Sequence, residues 1–223
     1  MSKRVLLIGL LTMSILSVFT QSFEFGAITG VEWKYSFKSK IKLTIEEELR
    51  FNQDVTHFDR SKTSVGLSYK PFGKNLKIGG SFDYILKNKI DFFENRYRGA
   101  LNISYSKKMG QFSAGIKSSV QATFFDSNLG VYKRNPLLYW RNKIQLEYSV
   151  FHKPIKIGLS SELFYRLNHQ EYQIIDEVRS EVYLYYRFSQ SNSITLFMRS
   201  INEIQVKKPE NIIYFGITYH LKN

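Results

Sequence analysis

Residues 140–148 read Trp140-Arg141-Asn142-Lys143-Ile144-Gln145-Leu146-Glu147-Tyr148. Trp140, Ile144, Leu146 and Tyr148 share one parity, and Arg141, Lys143, Gln145 and Glu147 share the other. Successive side chains of an extended chain point to opposite faces. The stretch therefore presents an apolar face that begins and ends on an aromatic ring, backed by a face of charges.

The same parity recurs outward from this stretch in both directions. Residues 61–70 set Thr63, Val65, Leu67 and Tyr69 against Lys62, Ser64, Gly66, Ser68 and Lys70. Residues 76–86 set Leu76, Ile78, Phe82, Tyr84 and Leu86 against Lys77, Gly79, Ser81 and Asp83. Tyr97, Leu101, Ile103 and Tyr105 oppose Arg96, Arg98, Asn102 and Ser104, while Phe112, Ala114, Ile116, Val120 and Phe124 oppose Ser113, Lys117, Gln121 and Thr123. Ile155, Ile157, Leu159, Leu163 and Tyr165 oppose Lys156, Ser160, Glu162 and Arg166, and Val178, Val182, Leu184, Tyr186 and Phe188 oppose Arg179, Glu181 and Arg187. Ile213, Phe215, Ile217, Tyr219 and Leu221 close the chain. Apolar residues at helical spacing are scarce from Phe25 onward, so the fold class is all-β. The runs are about 10–14 residues long, against ~5–6 for a strand of a soluble domain and ~9–11 for a tilted membrane strand.

Turn signals alternate in length. Short ones fall near Lys38–Lys40, Pro71–Asn75, Lys107–Gly110, His152–Pro154 and Ser189–Asn192, and longer ones at Asn52–Arg60, Lys87–Phe93, Phe125–Pro136, Asn168–Ile174 and Asn202–Glu210. On the apolar face, aromatic residues gather at strand ends and aliphatic residues in the middle, as rings at a membrane interface do. These features predict a transmembrane antiparallel up-and-down β-barrel of about 10–12 strands, with short periplasmic turns and longer outer loops. The alternative is a soluble barrel or sandwich with the same alternation turned inside out. Eleven candidate strands can be counted, whereas single-chain bacterial barrels have even numbers. Ten follow if Ile41–Asn52 is the first upward strand. Phe25–Phe37 is then an extra strand, a lumenal segment, or part of a twelve-strand barrel. Glu47 falls on the apolar face between Ile45 and Leu49, and a β-bulge within Glu46–Glu48 would turn it inward.

The leading residues set the compartment. Lys3 and Arg4 precede an uncharged apolar run from Val5 to Phe19, with Thr20 and Ser22 as small residues before a cleavage point. This is the layout of a signal peptide, 1–22, and the run is shorter than the ~20 apolar residues of a spanning helix. Residues 23–223 then form one domain, the barrel, in the bacterial outer membrane. The chain has no Cys, which removes both disulfides and a lipoprotein anchor. The formal net charge is +13, but export makes nucleic acid an improbable partner. The expected partners are the outer-membrane lipid bilayer and the barrel assembly machinery.

Several segments together resemble a known family. They are Trp33, Glu46-Glu47-Glu48-Leu49-Arg50-Phe51, Gly66-Leu67-Ser68-Tyr69-Lys70-Pro71 and Leu76-Lys77-Ile78-Gly79-Gly80, then Trp140-Arg141-Asn142-Lys143-Ile144 with Leu146-Glu147-Tyr148, and Glu162-Leu163-Phe164-Tyr165. Over essentially the whole mature chain the sequence resembles the domain-of-unknown-function 2490 (DUF2490) family of outer-membrane β-barrels of Gram-negative bacteria. The resemblance implies a location and a fold, and it brings no activity or catalytic residues. The chain ends on His220-Leu221-Lys222-Asn223 rather than on the aromatic residue common to outer-membrane barrels.

Little in the sequence points to catalysis. His57 with Asp59, and His169 with Glu171, stand two residues apart in the longer loops and could form the rim site of an outer-membrane hydrolase that activates water. Solvated loop polarity is the simpler account of them, since His/acid neighbours are common and no nucleophile is implied. No ligand cluster suggests a metal, and no phosphate loop or dinucleotide fingerprint suggests a cofactor. The polar face is more informative. Lumen-lining candidates are Arg96, Arg98, Lys117, Arg141, Lys143, Glu147, Glu162, Arg166, Arg179, Glu181 and Arg187, with Lys62, Lys77, Lys156, Glu46, Glu48 and Asp83 beside them. The basic excess would favour anions in a water-filled lumen, giving a narrow anion-preferring pore. Alternatively, Arg and Glu ladders pair across strands and fill the interior, giving a structural barrel.

Overall fold

The structure is a computed structural model, and it describes residues 24–37, 40–71, 75–89, 91–126, 135–168, 174–204 and 211–223. The segment 1–22, read above as a signal peptide, lies outside the described residues, as do His169 and Glu171. Eleven strands follow one another: β1 (Glu24–Phe37), β2 (Ile41–Asn52), β3 (His57–Tyr69), β4 (Leu76–Asn88), β5 (Phe93–Met109), β6 (Phe112–Phe125), β7 (Leu137–Ser149), β8 (Ile155–Arg166), β9 (Ile174–Arg187), β10 (Asn192–Glu203) and β11 (Asn211–Lys222). They run 12 to 17 residues each, about twice an ordinary strand.

Each strand pairs antiparallel with its neighbour in sequence, and β1 pairs with β11 to close the sheet. That last pairing is parallel, from Glu24↔Ile212 to Lys34↔Lys222. Eleven candidate strands were legible in the sequence, but an even number with all pairs antiparallel was the expectation. An up-and-down chain with an odd number of strands brings its first and last strands to the seam pointing the same way, so one parallel pair is unavoidable. Phe25–Phe37 is neither a lumenal segment nor half of a missing pair; it is part of wall strand β1.

Two connections read as long loops are short. β2 and β3 are joined by residues 53–56, and β4 and β5 by residues 89–92. The first turns through Gln53, Asp54 and Val55, all with positive φ. Asp59 and Lys87, which fall within those two stretches, occupy inward strand positions. The connections 126–136, 167–173 and 204–210 are the longer ones, all at the same end of the barrel. At that rim the Asn135 side chain pairs with both backbone groups of Phe125, and the Asn168 side chain bridges Leu138 and Pro136. At the other rim, Gly110, with φ 64°, makes the two-residue β5–β6 turn possible.

The apolar parity faces out. Leu101 is 74% exposed, Ile144 63% and Leu146 60%, which is the reverse of a soluble barrel. Aromatic rings meet at both ends of this face: Tyr35 with Phe37, Phe112 with Tyr148, and Phe188 with Tyr219 beside the short turns, and Phe51 with Phe58, Tyr84 with Tyr97, and Trp140 with Tyr165 toward the long connections. Glu47 stays on the outer face, because the register runs unbroken through Glu46–Glu48 and the β2–β3 irregularity lies at Arg50/Phe51. Its carboxylate accepts hydrogen bonds from the Ser61 and Thr63 hydroxyls on β3.

One side of the interior is packed solid. Ile28, Phe197, Ile201, Ile212 and Tyr214 form a buried cluster with Tyr183 against it. The outer end of the Phe197 ring sits over its cross-strand partner Gly216, and that of Tyr183 over its partner Gly158. A Cβ at either glycine would fall 2.1 Å from the ring, and Phe197 cannot swing away without emptying the cluster. Gly216→Ala and Gly158→Ala should each destabilise the barrel by about 1–3 kcal/mol through overpacking. Gly99→Ala, with nothing within 4 Å of the added carbon, should stay within about 0.5 kcal/mol. Denaturant unfolding in detergent, followed by tryptophan fluorescence, reads the difference, and equal midpoints for all three would mean the rings are not seated as described.

Candidate functional site

The inward parity builds a charged lumen, and its local unit is a Glu-x-Arg step along one strand. Residues two apart on a strand share a face, so Glu48 and Arg50 on β2 meet inside, with Arg50 Nε donating to Glu48 Oε1 at 2.7 Å. The same step pairs Glu94 with Arg96 on β5 and Glu177 with Arg179 on β9. Across strands, Lys62 bonds Glu46 at 2.9 Å and Glu48 at 3.2 Å, Arg141 bonds Glu162 at 3.0 Å, and Arg199 bonds Glu181 at 2.7 Å. Arg98 approaches Asp83 at 3.7 Å. Guanidinium groups also lie over rings: Arg141 and Arg179 each over Phe164, at 4.4 and 4.2 Å, and Arg50 over Tyr214. Such contacts orient planar cations that already have carboxylate partners.

Against the packed side, three cavities lie in line in the lumen among the described residues. One toward the short turns has a volume of about 500 Å³, a central one about 410 Å³, and one toward the long connections about 380 Å³. Adjacent cavities share lining residues, and every shared residue is basic. Lys77, Lys117 and Lys143 stand between the short-turn and central cavities. Arg50, Arg98 and Arg179 stand between the central cavity and the outer one. These junctions draw on strands far apart in sequence: β4, β6 and β7 for the first, and β2, β5 and β9 for the second.

Most of the lumen residues expected from sequence converge here. Arg98, Lys117, Arg141, Lys143, Glu162, Arg179 and Glu181 line the central cavity, Arg96 the outer one and Glu147 the short-turn one. Arg166 lies 3.7 Å from Asp176 at the long-connection end. Arg187 sits exposed at the short-turn rim, lining none of the three cavities. Sequence reading missed Arg50, Arg60, Lys87, Glu94, Glu177 and Arg199. Its usable signal was the Glu-x-Arg spacing, which recurs on three strands.

The hydrolase rim does not assemble among the described residues. His57 opens β3 rather than lying in a loop. Asp59 is buried in the lumen with both carboxylate oxygens engaged, one by Arg60 Nε at 2.6 Å and the other by the Lys87 ammonium. A carboxylate held by two cations is poorly placed to take a proton from water. No group of three or more His, Asp or Glu is arranged to hold a metal ion among the described residues.

One family model, described as a protein of unknown function (DUF2490), matches residues 25–208, which takes in all of β1 but its first residue and the whole of β2 through β10. No curated protein matches the chain.

The roles of His57 and Asp59 separate in mutants. Asp59→Asn leaves Arg60 and Lys87 without their carboxylate, and should cost about 3 kcal/mol. His57→Ala should change stability by no more than about 0.5 kcal/mol. Unfolding midpoints check both, and a stable Asp59→Asn barrel would contradict the ion-pair role.

Proposed function

The chain belongs to the DUF2490 family, and from that footing we propose that it is an outer-membrane β-barrel giving small anions a narrow passage. The carrying observation is that every residue shared by adjacent lumen cavities is a lysine or arginine. A permeating solute meets its highest electrostatic barrier where a passage narrows, and positive groups there favour anions over cations. The outward apolar face with aromatic rings at both ends supports a membrane setting, as does the leader 1–22. In that setting the partners are lipid and the machinery that assembles barrels. No helix among the described residues is long and apolar enough to cross a membrane; in the proposed setting the described residues cross as strands.

The membrane setting makes its own demand on the two faces. Leu101→Arg places a charge in hydrocarbon and should cost about 2–4 kcal/mol. Ser160→Arg, inward and directly opposite Glu181, should cost far less. Equal tolerance, measured as folded yield in lipid vesicles, would mean that the outer face does not meet lipid.

Conductance tests the passage. Purified protein in a planar bilayer should show small, anion-selective currents. Arg98→Glu and Lys117→Glu, one at each junction, should each move the reversal potential toward cations. A barrel that inserts and passes no current would leave a structural role instead.

A further inference from the structure

The two basic junctions differ in one respect that bears on ligands. At the outer junction Arg50 and Arg179 are bonded to Glu48 and Glu177, and Arg98 faces Asp83. At the short-turn junction Lys77, Lys117 and Lys143 have no ion-pair partner among the described residues, although every other junction cation has one. The nearest carboxylates are engaged elsewhere. Glu162 is held by Arg141, and Glu147 accepts from Lys156 at 2.7 Å and from the Tyr183 hydroxyl at 3.0 Å.

Strand register places these lysines in a row. Lys77 is opposite Ser104, Ser104 opposite Lys117, and Lys117 opposite Lys143, across β4, β5, β6 and β7. Like charges directly opposite one another destabilise a strand pair, and Glu162, directly opposite Lys143 but hydrogen-bonded to Arg141, offsets the Lys117–Lys143 contact only in part. A multivalent anion bridging the ammonium groups would turn the cost into binding. The adjoining cavity of about 500 Å³ also presents the serines Ser106 and Ser113, and Lys70 lines it as well.

We infer that this chamber binds a phosphate group, free or on a small ester, held by Lys77, Lys117 and Lys143 with Ser104. A phosphate monoester carries about −1.5 to −2 charges at neutral pH and three strong acceptor oxygens, so it can satisfy several ammonium groups at once where chloride satisfies fewer. The cavity leaves room for the organic part of an ester. The inference rests on the proposed function in taking the lumen to be open to small solutes from the short-turn side.

Calorimetric titration of the full barrel in maltoside detergent tests it, using inorganic phosphate and glycerol 3-phosphate at constant ionic strength set with chloride. Saturable binding is expected, at least tenfold weaker in Lys117→Gln and Lys143→Gln. Lys153→Gln, which removes the same charge from an exposed turn at that end, should leave it within twofold. Binding of both titrants assigns the site to phosphate esters as well as the free ion; binding of inorganic phosphate alone assigns it to the free ion. No saturable phosphate heat above the chloride background, or equal losses in Lys153→Gln and Lys143→Gln, would overturn the site. Thermal melts guard against misfolded variants: in phosphate-free buffer Lys143→Gln should melt no lower than wild type, because a repulsion is relieved. A lower midpoint would mean that the wall already neutralises this lysine, and would overturn the inference too. Titration reads no current, so a conducting barrel that ignores phosphate loses only the site, and one that binds phosphate without conducting loses only the passage.

Discussion

Parallel pairing of β1 with β11 closes the sheet, and the remaining architecture depends on it. Without that seam, two edges of 11 or more residues would stand with unpaired N–H and C=O groups, a state that lipid does not tolerate and that invites aggregation in water. Closure also defines an inside. Only in a closed sheet does the charged parity of each strand face the charged parity of the others. Glu-x-Arg steps on β2, β5 and β9 thereby become parts of one lumen rather than three solvated faces. The buried cluster of Ile28, Phe197, Ile201, Ile212 and Tyr214 draws on β1, β10 and β11. It packs behind the seam and gives it support that hydrogen bonds alone do not.

Inside the lumen, two kinds of cation are used differently. Arginines are paired with carboxylates and laid over rings at Phe164, Tyr214, Phe125 and Phe197, which suits a planar group with a fixed fork of donors. Lysines at the short-turn junction lack such partners among the described residues, and an ammonium on a flexible stem suits a solute that comes and goes. Cations at the outer junction thus face carboxylates, and among the described residues those at the short-turn junction form no ion pair.

Much of this was written in the sequence as parity. Each face assigned from alternation in 140–148, 61–70 or 76–86 is the face found, because a one-residue slip would move every side chain to the wrong side. The count of eleven segments was legible as well. Its consequence was not, since the pairing of Glu24 with Ile212 joins residues at opposite ends of the chain and leaves no local trace. Polar composition misled at Asn52–Arg60 and Lys87–Phe93: inside a barrel, charge marks the lumen as readily as a loop. Glu47 misled in the other direction, because Ser61 and Thr63 opposite it satisfy an outward carboxylate that alternation alone could place only by invoking a bulge. The lysine row and the arginine junction needed the closed register, as their members come from strands separated by tens of residues.

An odd-stranded barrel that spans a membrane must place the two ends of its chain on opposite sides. Glu24 begins β1 beside the β2–β3 turn, where Asp54 N donates to Phe25 O at 3.0 Å, while Asn223 N donates to Lys34 O at the short-turn end. The protein has no cysteine, so single cysteines can be labelled without background, using a maleimide that does not cross membranes. In intact cells, Glu24→Cys and Asp54→Cys should label together, and Asn223→Cys and His152→Cys only after the outer membrane is opened. Labelling of Glu24→Cys and Asn223→Cys from the same side, or of all four alike in intact cells, would contradict an eleven-stranded barrel spanning the membrane.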